Sequence, residues 1–394
     1  MSTAFLEGSR PSIVYFLADD WPHELWPNST SDDTENYTAL LPSITRHFVD
    51  DGLRLDNHYF HKISSPSRRA LLSGRFVSTL GTPSGDKWAL SAAISTLGDR
   101  MTEAGYSTAF FGKWFLGFGS PSLLPARRGF AHSVGFFSQS IDQYGWNAKW
   151  RGALRTSSGE DIYDLLINEE RITREHPYIV AGQGKLRYEE DGEGGAPTTR
   201  LRLFEEADHL NAAGLLQAQA ADEEGRHFSQ DVLDTAMVRV LETAAPPLFV
   251  LMSTAGLHEP LDSRHHQRLR VFEARASRLA AAAGCPWHEA WAVQANPSQC
   301  DDDARAVRFE REAMALGIDD SVGLAAEALK ARGEWNRTLL VFASDNGTRR
   351  PGRQRQRWCL LALASSPQAR KRRHDVGFPW AARLWALRVP HSLP

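Results

Sequence analysis

The chain has few cysteines, no long apolar run and almost no net charge, and each shortage excludes a class of protein. Its 394 residues include three cysteines, so at most one disulfide can form and a disulfide-stapled scaffold is excluded. No segment approaches the ~20 apolar residues of a membrane span. The net charge of −3 lacks the basic excess typical of nucleic-acid-binding domains. The sequence therefore predicts a globular protein with no membrane span and no nucleic-acid partner.

Two features bear on localisation and point in opposite directions. Residues 1–10, MSTAFLEGSR, lack the apolar segment of a secretory signal peptide. Asn28, Asn36 and Asn336 each begin an N-x-S/T sequence, which is glycosylated only in a secreted protein. Localisation is therefore left open by the residues themselves.

Four apolar segments that end in polar residues predict strands of one sheet. The segments are residues 12–18, 107–111, 248–252 and 338–343. Each reads as a strand buried on both faces, because its apolar residues do not alternate with polar ones. The polar residues that follow are Asp19 and Asp20, then Lys113, then His258, and finally Asp345 and Asn346.

Helical patterns lie between these strands, at residues 42–49, 66–72, 97–104 and 321–331. Alternation of strands and helices predicts an α/β fold with a doubly wound, mostly parallel sheet flanked by helices. Ligands of such sheets bind outside the carboxyl ends of the strands. The polar residues that follow the four strands are therefore predicted to share one site.

The chain divides into two predicted regions of different composition. Residues 1–348 are predicted to form one α/β catalytic domain, with an insertion without a clear strand at about residues 182–224. Residues 349–394 hold eleven Lys or Arg and one acidic residue, and we predict a basic, poorly ordered tail. A nucleic-acid or targeting segment is the alternative for the basic cluster RKRR within it.

Two pairs of oxygen-bearing side chains predict a divalent cation site. Asp19 and Asp20 are adjacent, and two carboxylates so close repel unless a cation or hydrogen-bond donors offset their charge. Asp345 and Asn346 supply a second pair of oxygen ligands, which calcium and magnesium prefer. Solvated turns or helix caps are the alternative interpretation of each pair alone.

A helix start is predicted beside Ser64, in the segment SSPSRRALLSGR at residues 64–75. Pro66 suits the first helical position and Ser65 the cap. The unpaired N–H groups of a helix start favour an anion, which would then lie beside Ser64, with Arg68 one turn away. A capped surface helix with solvated arginines is the alternative.

This segment resembles the sulfatase signature, in which Cys or Ser is followed by x-Pro-Ser-Arg-x-x-Leu-Leu-Thr-Gly-Arg, here with Ser73 for Thr. The resemblance extends, in the family's order and spacing, to six further motifs: LADD at 17–20, AGYSTAFFGKW at 104–114, RRGF at 127–130, LHEPL at 257–261, IDDSVG at 318–323 and FASDNG at 342–347. The sequence most resembles the arylsulfatase B group of this family, which belongs to the alkaline phosphatase superfamily.

The resemblance implies a set of roles for this chain. Ser64 matches the nucleophile, which a maturation enzyme oxidises to formylglycine in the family. Arg68 matches the residue that steadies the nucleophile, and Lys113 and His258 match groups that bind sulfate and assist the leaving alcohol. The calcium ligands would be Asp19, Asp20, Ser64, Asp345 and Asn346. The substrate would be a sulfate ester of an aryl or carbohydrate alcohol, and the protein would be secreted, lysosomal or periplasmic.

The sequence departs from the family pattern at two places. Phe115 stands where the family has a catalytic histidine. After Gly347 the sequence has no match to the family's second sulfate-binding lysine. Most of the family's smaller carboxyl-terminal domain, which would follow there, is also expected to be lacking. The leading hypothesis is a sulfuric ester hydrolase. A catalytically impaired relative, or a phosphomonoester hydrolase that uses unmodified Ser64, are the alternatives.

Overall fold

A nine-stranded sheet forms the centre of the molecule in the computed structural model. The structure describes residues 10–27, 37–55, 58–81, 89–143, 148–149, 164–167, 170–171, 185–190, 199–204, 229–261, 263, 271, 303–347 and 361–364. Asn28, Asn36, most of the predicted insertion and most of the predicted basic tail lie outside these residues.

The strands comprise one large sheet and two small antiparallel ribbons. Their bounds are β1 Ser12–Ala18, β2 Gly52–Leu55, β3 Ser107–Lys113, β4 His132–Phe136, β5 Ser140–Ile141, β6 Ala148–Lys149, β7 Leu166–Ile167, β8 Glu170–Arg171, β9 Lys185–Glu190, β10 Thr199–Phe204, β11 Leu248–Ser253, β12 Thr338–Ser344 and β13 Leu361–Ala364. The large sheet has the order β2-β13-β12-β1-β11-β3-β4-β7-β8. Its five central strands, β12 to β4, are parallel, and the outer strands are antiparallel.

The register of the central strands brings their carboxyl ends to one edge of the sheet. Ala18 of β1 lies beside Ser344 of β12, and Ser253 of β11 lies between Leu17 and Gly112 of its two neighbours. The residues that follow β1, β3, β11 and β12 therefore emerge together, as the sequence predicts.

Helices cover both faces of the sheet. Their bounds are α1 Pro42–Ile44, which continues as a π-helical turn at Thr45–Asp50, α2 Ser64–Ser73, α3 Leu97–Glu103, α4 Ser229–Thr243 and α5 Asp303–Ala331. Short 3-10 turns lie at His23–Leu25, Val77–Thr79, Pro121–Leu123, Pro125–Arg127 and Trp335–Arg337. No helix in the described ranges is long and apolar enough to cross a membrane.

Two hydrophobic clusters, one on each face of the sheet, hold these layers together. Strand β1 contributes to both, because Val14 and Phe16 pack in one cluster with α4 and α5, while Leu17 packs in the other with α2. A strand buried on both faces needs a continuous apolar sequence, and this explains the run SIVYFLA. The predicted doubly wound α/β architecture is confirmed.

The helices differ from the sequence predictions at their ends. The predicted helix at residues 321–331 begins much earlier, at Asp303. The cap predicted at Ser65 is wrong, since α2 begins at Ser64 with Ile63 at the N-cap. The Ser64 hydroxyl group bonds to groups outside the helix instead of capping it.

Two segments predicted to lack strands contain them. Strands β9 and β10 pair in antiparallel fashion within the predicted insertion, where LRYE and RLRL alternate apolar and polar residues as a half-buried ribbon does. Strand β13 lies beyond residue 348 and pairs with β12 and β2. That part of the predicted tail therefore belongs to the sheet, and the domain boundary at residue 348 stays a prediction.

Candidate functional site

Three carboxylates gather at the carboxyl edge of the sheet, where β1 and β12 end side by side. Oxygen atoms of Asp19, Asp20 and Asp345 lie within 4.8 Å of one another, and Asp19 and Asp345 are buried. Asp20 adopts a left-handed backbone (φ 55°), and its N–H donates to Asp345 Oδ1 (3.3 Å). The amide of Asn346 donates to Asp20 Oδ1. The two predicted pairs of oxygen ligands therefore form one cluster.

A glycine allows the loop after β11 to pack directly on Asp19. Gly256 has a φ of +59°, and a Cβ atom at this position would lie 2.2 Å from the Asp19 carbonyl oxygen. The N–H of the next residue, Leu257, donates to that oxygen (2.9 Å). This close approach brings the loop that carries His258 against the acidic cluster.

Arg68 is the buried cation on the helix side of the cluster. From the first turns of α2 its Nε donates to Asp345 Oδ2 (3.0 Å), and its Nη2 lies 2.9 Å from the same oxygen and 3.6 Å from Asp19 Oδ1. Its Nη1 donates to the Lys113 carbonyl oxygen (2.8 Å) and to Ser253 Oγ. One guanidinium group thus joins α2 to the ends of β1, β3, β11 and β12.

Lys113 is the second buried cation and ends strand β3. Its Nζ lies 2.5 Å from Asp19 Oδ2, and its side chain is fully buried. The Phe115 ring lies beside it, with its centroid 5.2 Å from Nζ, within the range of a cation–π contact. Phe115 is nearly buried and has a left-handed backbone (φ 52°), which is costly for a bulky residue and clusters at functional sites.

Ser64 lies at the first position of α2, against the acidic cluster. Its Oγ is 3.0 Å from Asp19 Oδ1 and 3.1 Å from Asn346 Oδ1. Both partners are acceptors, while a serine hydroxyl has a single proton to donate. The Ser64 hydroxyl group can therefore donate to only one of these two oxygens at a time.

His258 lies half-buried at the open side of the cluster. Its Nδ1 donates to the Glu259 carbonyl oxygen (2.7 Å), which leaves Nε2 to act on a bound molecule. A narrow cleft lies here, lined by Asp19, Phe136, Gln139, Ser140, Ile141, Gln143, Ala255, His258 and Glu259. The cleft therefore brings Asp19 of the acidic cluster and His258 to one surface.

The three carboxylates carry more negative charge than the two buried cations neutralise. Burial alone raises the pKa of Asp19, but the charges of Lys113, His258 and Arg68 outweigh burial and hold that pKa well below its usual range. Burial, followed by the charge of Asp19, raises the pKa of both Asp20 and Asp345. The cluster therefore takes up positive charge, from a proton or a cation.

The structure brings all the predicted site residues together, namely Ser64, Arg68, Lys113, His258, Asp19, Asp20, Asp345 and Asn346. The sequence analysis missed two serines that support them. Ser253 accepts from Arg68 and donates to the Lys113 carbonyl oxygen (2.8 Å), and Ser344 accepts from the Trp21 N–H (3.1 Å). Each is the last residue of a central strand, and that position is the signal that would have found them.

Comparison with curated proteins finds sulfatases. Arylsulfatase J of Mus musculus is 23% identical over 349 residues, which cover 86% of this chain and 43% of that protein. N-acetylglucosamine-6-O-sulfatase of Bacteroides thetaiotaomicron is 24% identical over 367 residues, which cover 86% of this chain and 59% of that protein. The chain spans about half the length of these two relatives.

Solved structures share the fold. Ps i-CgsB matches with a TM-score of 0.60 and 16% identity, covering 91% of this chain and 66% of that one. BT4656, solved with its substrate D-glucosamine-2-N,6-O-disulfate, matches with a TM-score of 0.55 and 15% identity, covering 91% and 71%. The sulfatase family model matches residues 11–360. The chain therefore belongs to the sulfatase family.

Proposed function

We propose that this chain is a calcium-dependent sulfatase that hydrolyses sulfate monoesters of carbohydrate or aryl alcohols. The observation that carries the proposal is the position of Ser64, whose hydroxyl group lies at a helix start and contacts a buried acidic cluster flanked by two buried cations. Membership of the sulfatase family supports the reaction class.

The acidic cluster fits a calcium ion by its donor set and by its charge. Asp19, Asp20, Asp345 and Asn346 offer oxygen atoms, which calcium prefers, and the Ser64 oxygen faces the same centre. Burial, followed by the charge of Asp19, raises the pKa values of Asp20 and Asp345, and a cation bound beside these carboxylates would offset both causes. A bound calcium ion would supply Lewis-acid polarisation of the ester oxygens.

Ser64 is proposed as the nucleophile position. Family resemblance favours its oxidation to formylglycine by a maturation enzyme, which would make that enzyme a partner of the chain. Asp19 Oδ1 accepts from the hydroxyl group at this position and orients it. An anion beside Ser64 would lie at the amino-terminal end of α2, where the helix dipole favours negative charge.

The remaining charged residues divide the work of binding and proton transfer. Lys113, held by Asp19, stabilises negative charge on the sulfate oxygens as the ester bond breaks. His258 presents Nε2 towards the cleft and donates a proton to the leaving alcohol. Arg68 contacts Asp345 and two strand ends, so it holds the nucleophile helix in register with the acidic cluster.

The cleft favours a carbohydrate alcohol over an aryl one. Gln139, Ser140 and Glu259 on its rim offer polar groups, which suit a polyhydroxylated ring better than an aromatic one. One relative is named N-acetylglucosamine-6-O-sulfatase, and this chain is proposed to take a related sugar sulfate.

A second candidate is an oxyanion-binding protein without turnover, favoured by Phe115. The family pattern has a histidine at this position, and a phenyl ring cannot donate a proton to the nucleophile. The Phe115 ring instead packs against Lys113 Nζ. Loss of one such donor lowers kcat by about 10²–10³-fold in enzymes that stabilise a developing charge. Under this candidate the site binds sulfate and calcium but does not hydrolyse esters.

The test measures hydrolysis of 4-nitrophenyl sulfate and of glucosamine 6-sulfate, with calcium and with a chelator, on protein whose Ser64 peptide has been weighed by mass spectrometry. The proposal expects calcium-dependent sulfate release that Ser64→Ala abolishes. Ser73→Ala, at the far end of the same helix, is the matched control and keeps activity. Binding of the sulfate ester without its hydrolysis would support the second candidate. Hydrolysis of a phosphomonoester by protein with unmodified Ser64 would contradict both candidates and indicate a phosphatase.

A further inference from the structure

Gln143 is a buried residue that lines the same cleft as His258. Its Oε1 accepts from the hydroxyl group of Ser229, the first residue of α4. Its Nε2 has no partner within the part of the chain that the structure describes, and unlike the unpaired atoms Trp21 Nε1 and Thr254 Oγ1 it is not completely buried. Because Gln143 lines the cleft, a molecule in the cleft can reach this donor.

The backbone around Gln143 is fixed, so its side chain has a defined direction. The Ser229 N–H donates to the Gln143 carbonyl oxygen (2.8 Å), which makes a second bond between these two residues. Earlier in the same segment, the N–H groups of Phe137 and Ser138 donate to the buried carboxylate of Asp164 (3.0 and 2.7 Å). A donor that is held in place before a ligand arrives loses little freedom on binding, and this preorganisation favours affinity.

The charges of the cleft indicate which kind of group Gln143 binds. Among the described residues that line the cleft there is no lysine or arginine, whereas Glu259 lies on its rim. A second anionic group on the ligand would therefore approach Glu259 without a lysine or arginine on the same wall to offset the repulsion. A neutral N–H donor in such a place suits an uncharged oxygen, such as that of a sugar hydroxyl group.

We propose that Gln143 is a specificity-determining residue, whose Nε2 donates a hydrogen bond to a hydroxyl oxygen in the alcohol part of the substrate. The inference rests on the proposed sulfatase function, in which His258 acts on the leaving alcohol in this cleft. An alcohol without hydroxyl groups would cover the Nε2 donor and leave it unpaired. A site built to hydrogen-bond a hydroxyl group discriminates against such a ligand for this reason.

The experiment compares glucosamine 6-sulfate with cyclohexylmethyl sulfate, which is also a primary sulfate ester on a saturated ring but has no hydroxyl groups. KM is measured on the full chain and its variants, and the dissociation constant is measured by calorimetry with Ser64→Ala added to prevent turnover. Gln143→Leu should weaken the binding of glucosamine 6-sulfate by about 3- to 10-fold, the strength of one neutral hydrogen bond, and leave the binding of cyclohexylmethyl sulfate unchanged.

Two further variants and a matched control sharpen the comparison. Gln143→Glu keeps the length of the side chain but replaces the N–H donors with an acceptor, and it should lose the preference for the sugar as fully as Gln143→Leu. Ser229→Ala frees the side-chain amide but keeps the backbone bond, and it should lose part of the preference. Gln230→Leu is the control, because Gln230 is also buried but bonds to Asp234 and Ser321 between α4 and α5, and it should keep the preference.

A ratio of the two affinities that is unchanged in Gln143→Leu and Gln143→Glu would overturn the role of Gln143. Equal affinity of the unaltered cleft for the two esters would overturn it as well, and so would an equal loss for both esters in Gln143→Leu. Thermal unfolding of each variant identifies any loss of folding. If neither ester is hydrolysed, the proposed turnover fails, while the calorimetric ratio still decides the role of Gln143.

Discussion

Two groups of buried carboxylates in this protein have opposite partners. At the carboxyl edge of the sheet, Asp19 lies against the cations Arg68 and Lys113, and its pKa is held below the usual range although burial alone would raise it. On the helical face, Asp234 is bonded to the neutral groups of Gln230 (2.9 Å) and Ser321, and burial raises its pKa to about 7.

Asp319 behaves as Asp234 does. It accepts from the backbone N–H groups of Ser43 (3.1 Å) and Ile44 (2.7 Å), and burial raises its pKa to about 7. Neutral donors satisfy the hydrogen bonds of a buried carboxylate but do not offset the cost of burying its charge, whereas Lys113 and Arg68 offset that cost at Asp19. The difference separates Asp19, whose pKa is lowered, from Asp234 and Asp319, whose pKa values are raised. Asp20 and Asp345 of the acidic cluster also have raised pKa values, because burial and the charge of Asp19 outweigh the cations there.

Replacing Arg68 with Met removes a buried cation from the acidic cluster and should have the largest effect. The substitution leaves Asp345 buried without its nearest cation and Asp19 with Lys113 alone, and we expect the free energy of unfolding to fall by about 3–5 kcal/mol. Urea denaturation in the presence of a chelator measures this loss. Arg75→Met, on the exposed end beyond the same helix, is the control, and an equal loss in both variants would contradict the account.

Replacing His258 with Gln tests whether this residue donates a proton to the leaving alcohol. A general acid contributes about 10²–10⁴-fold to a rate, so kcat for a sugar sulfate should fall by about 10²-fold or more, and far less for 4-nitrophenyl sulfate, whose leaving group needs little protonation. Steady-state kinetics with both substrates measures the difference. His132→Gln, at the amino end of β4, is the control. A similar loss on both substrates would assign His258 to binding instead of proton transfer.

Replacing Asp234 with Asn tests how a buried carboxylate with neutral partners makes the stability of the fold depend on pH. The folded pKa of about 7 lies above the ordinary value of 3.8, so the folded state holds the proton more tightly. The stability from this group is complete below pH ~3.8 and is lost as the pH rises to 7, by about 1.4 kcal/mol per pH unit. Urea denaturation from pH 4 to 7 should show this slope reduced in Asp234→Asn and kept in the exposed control Asp50→Asn. An unchanged slope would show that Asp234 is ionised when folded.

Replacing Phe115 with His should have the smallest of these effects. An imidazole ring at this position adds an N–H donor beside Lys113, where the family pattern has a histidine, and we expect kcat to rise by about tenfold, a conservative fraction of what a positioned proton donor gives. Phe115→Leu adds no donor and should not raise kcat. An increase in both variants would assign the effect to loss of the phenyl ring instead of to the new donor.

The sequence predicts the central sheet, and the meeting of the polar residues at its strand ends, for a physical reason. Strands buried on both faces are continuous apolar runs, so the ends of β1, β3, β11 and β12 are visible as points where polar residues begin. Because parallel strands end at one edge, Asp19 and Asp345 are predicted to meet although 326 residues separate them in the chain.

Other features depend on contacts that no local pattern records. The Ser64 hydroxyl group bonds to Asp19 and Asn346, which lie far away in the sequence, so its role at the start of α2 is not visible in the local pattern. Strand β13 pairs with β2 across more than 300 residues.

The most direct test of the central claim is a calorimetric titration of the full chain with calcium. We expect one ion bound per chain, with binding weakened at least about tenfold by Asp20→Asn, which removes one charged oxygen ligand, and unchanged by Asp50→Asn at an exposed position. Absence of calcium binding, or equal affinity in all three proteins, would contradict a calcium site at the carboxyl edge of the sheet.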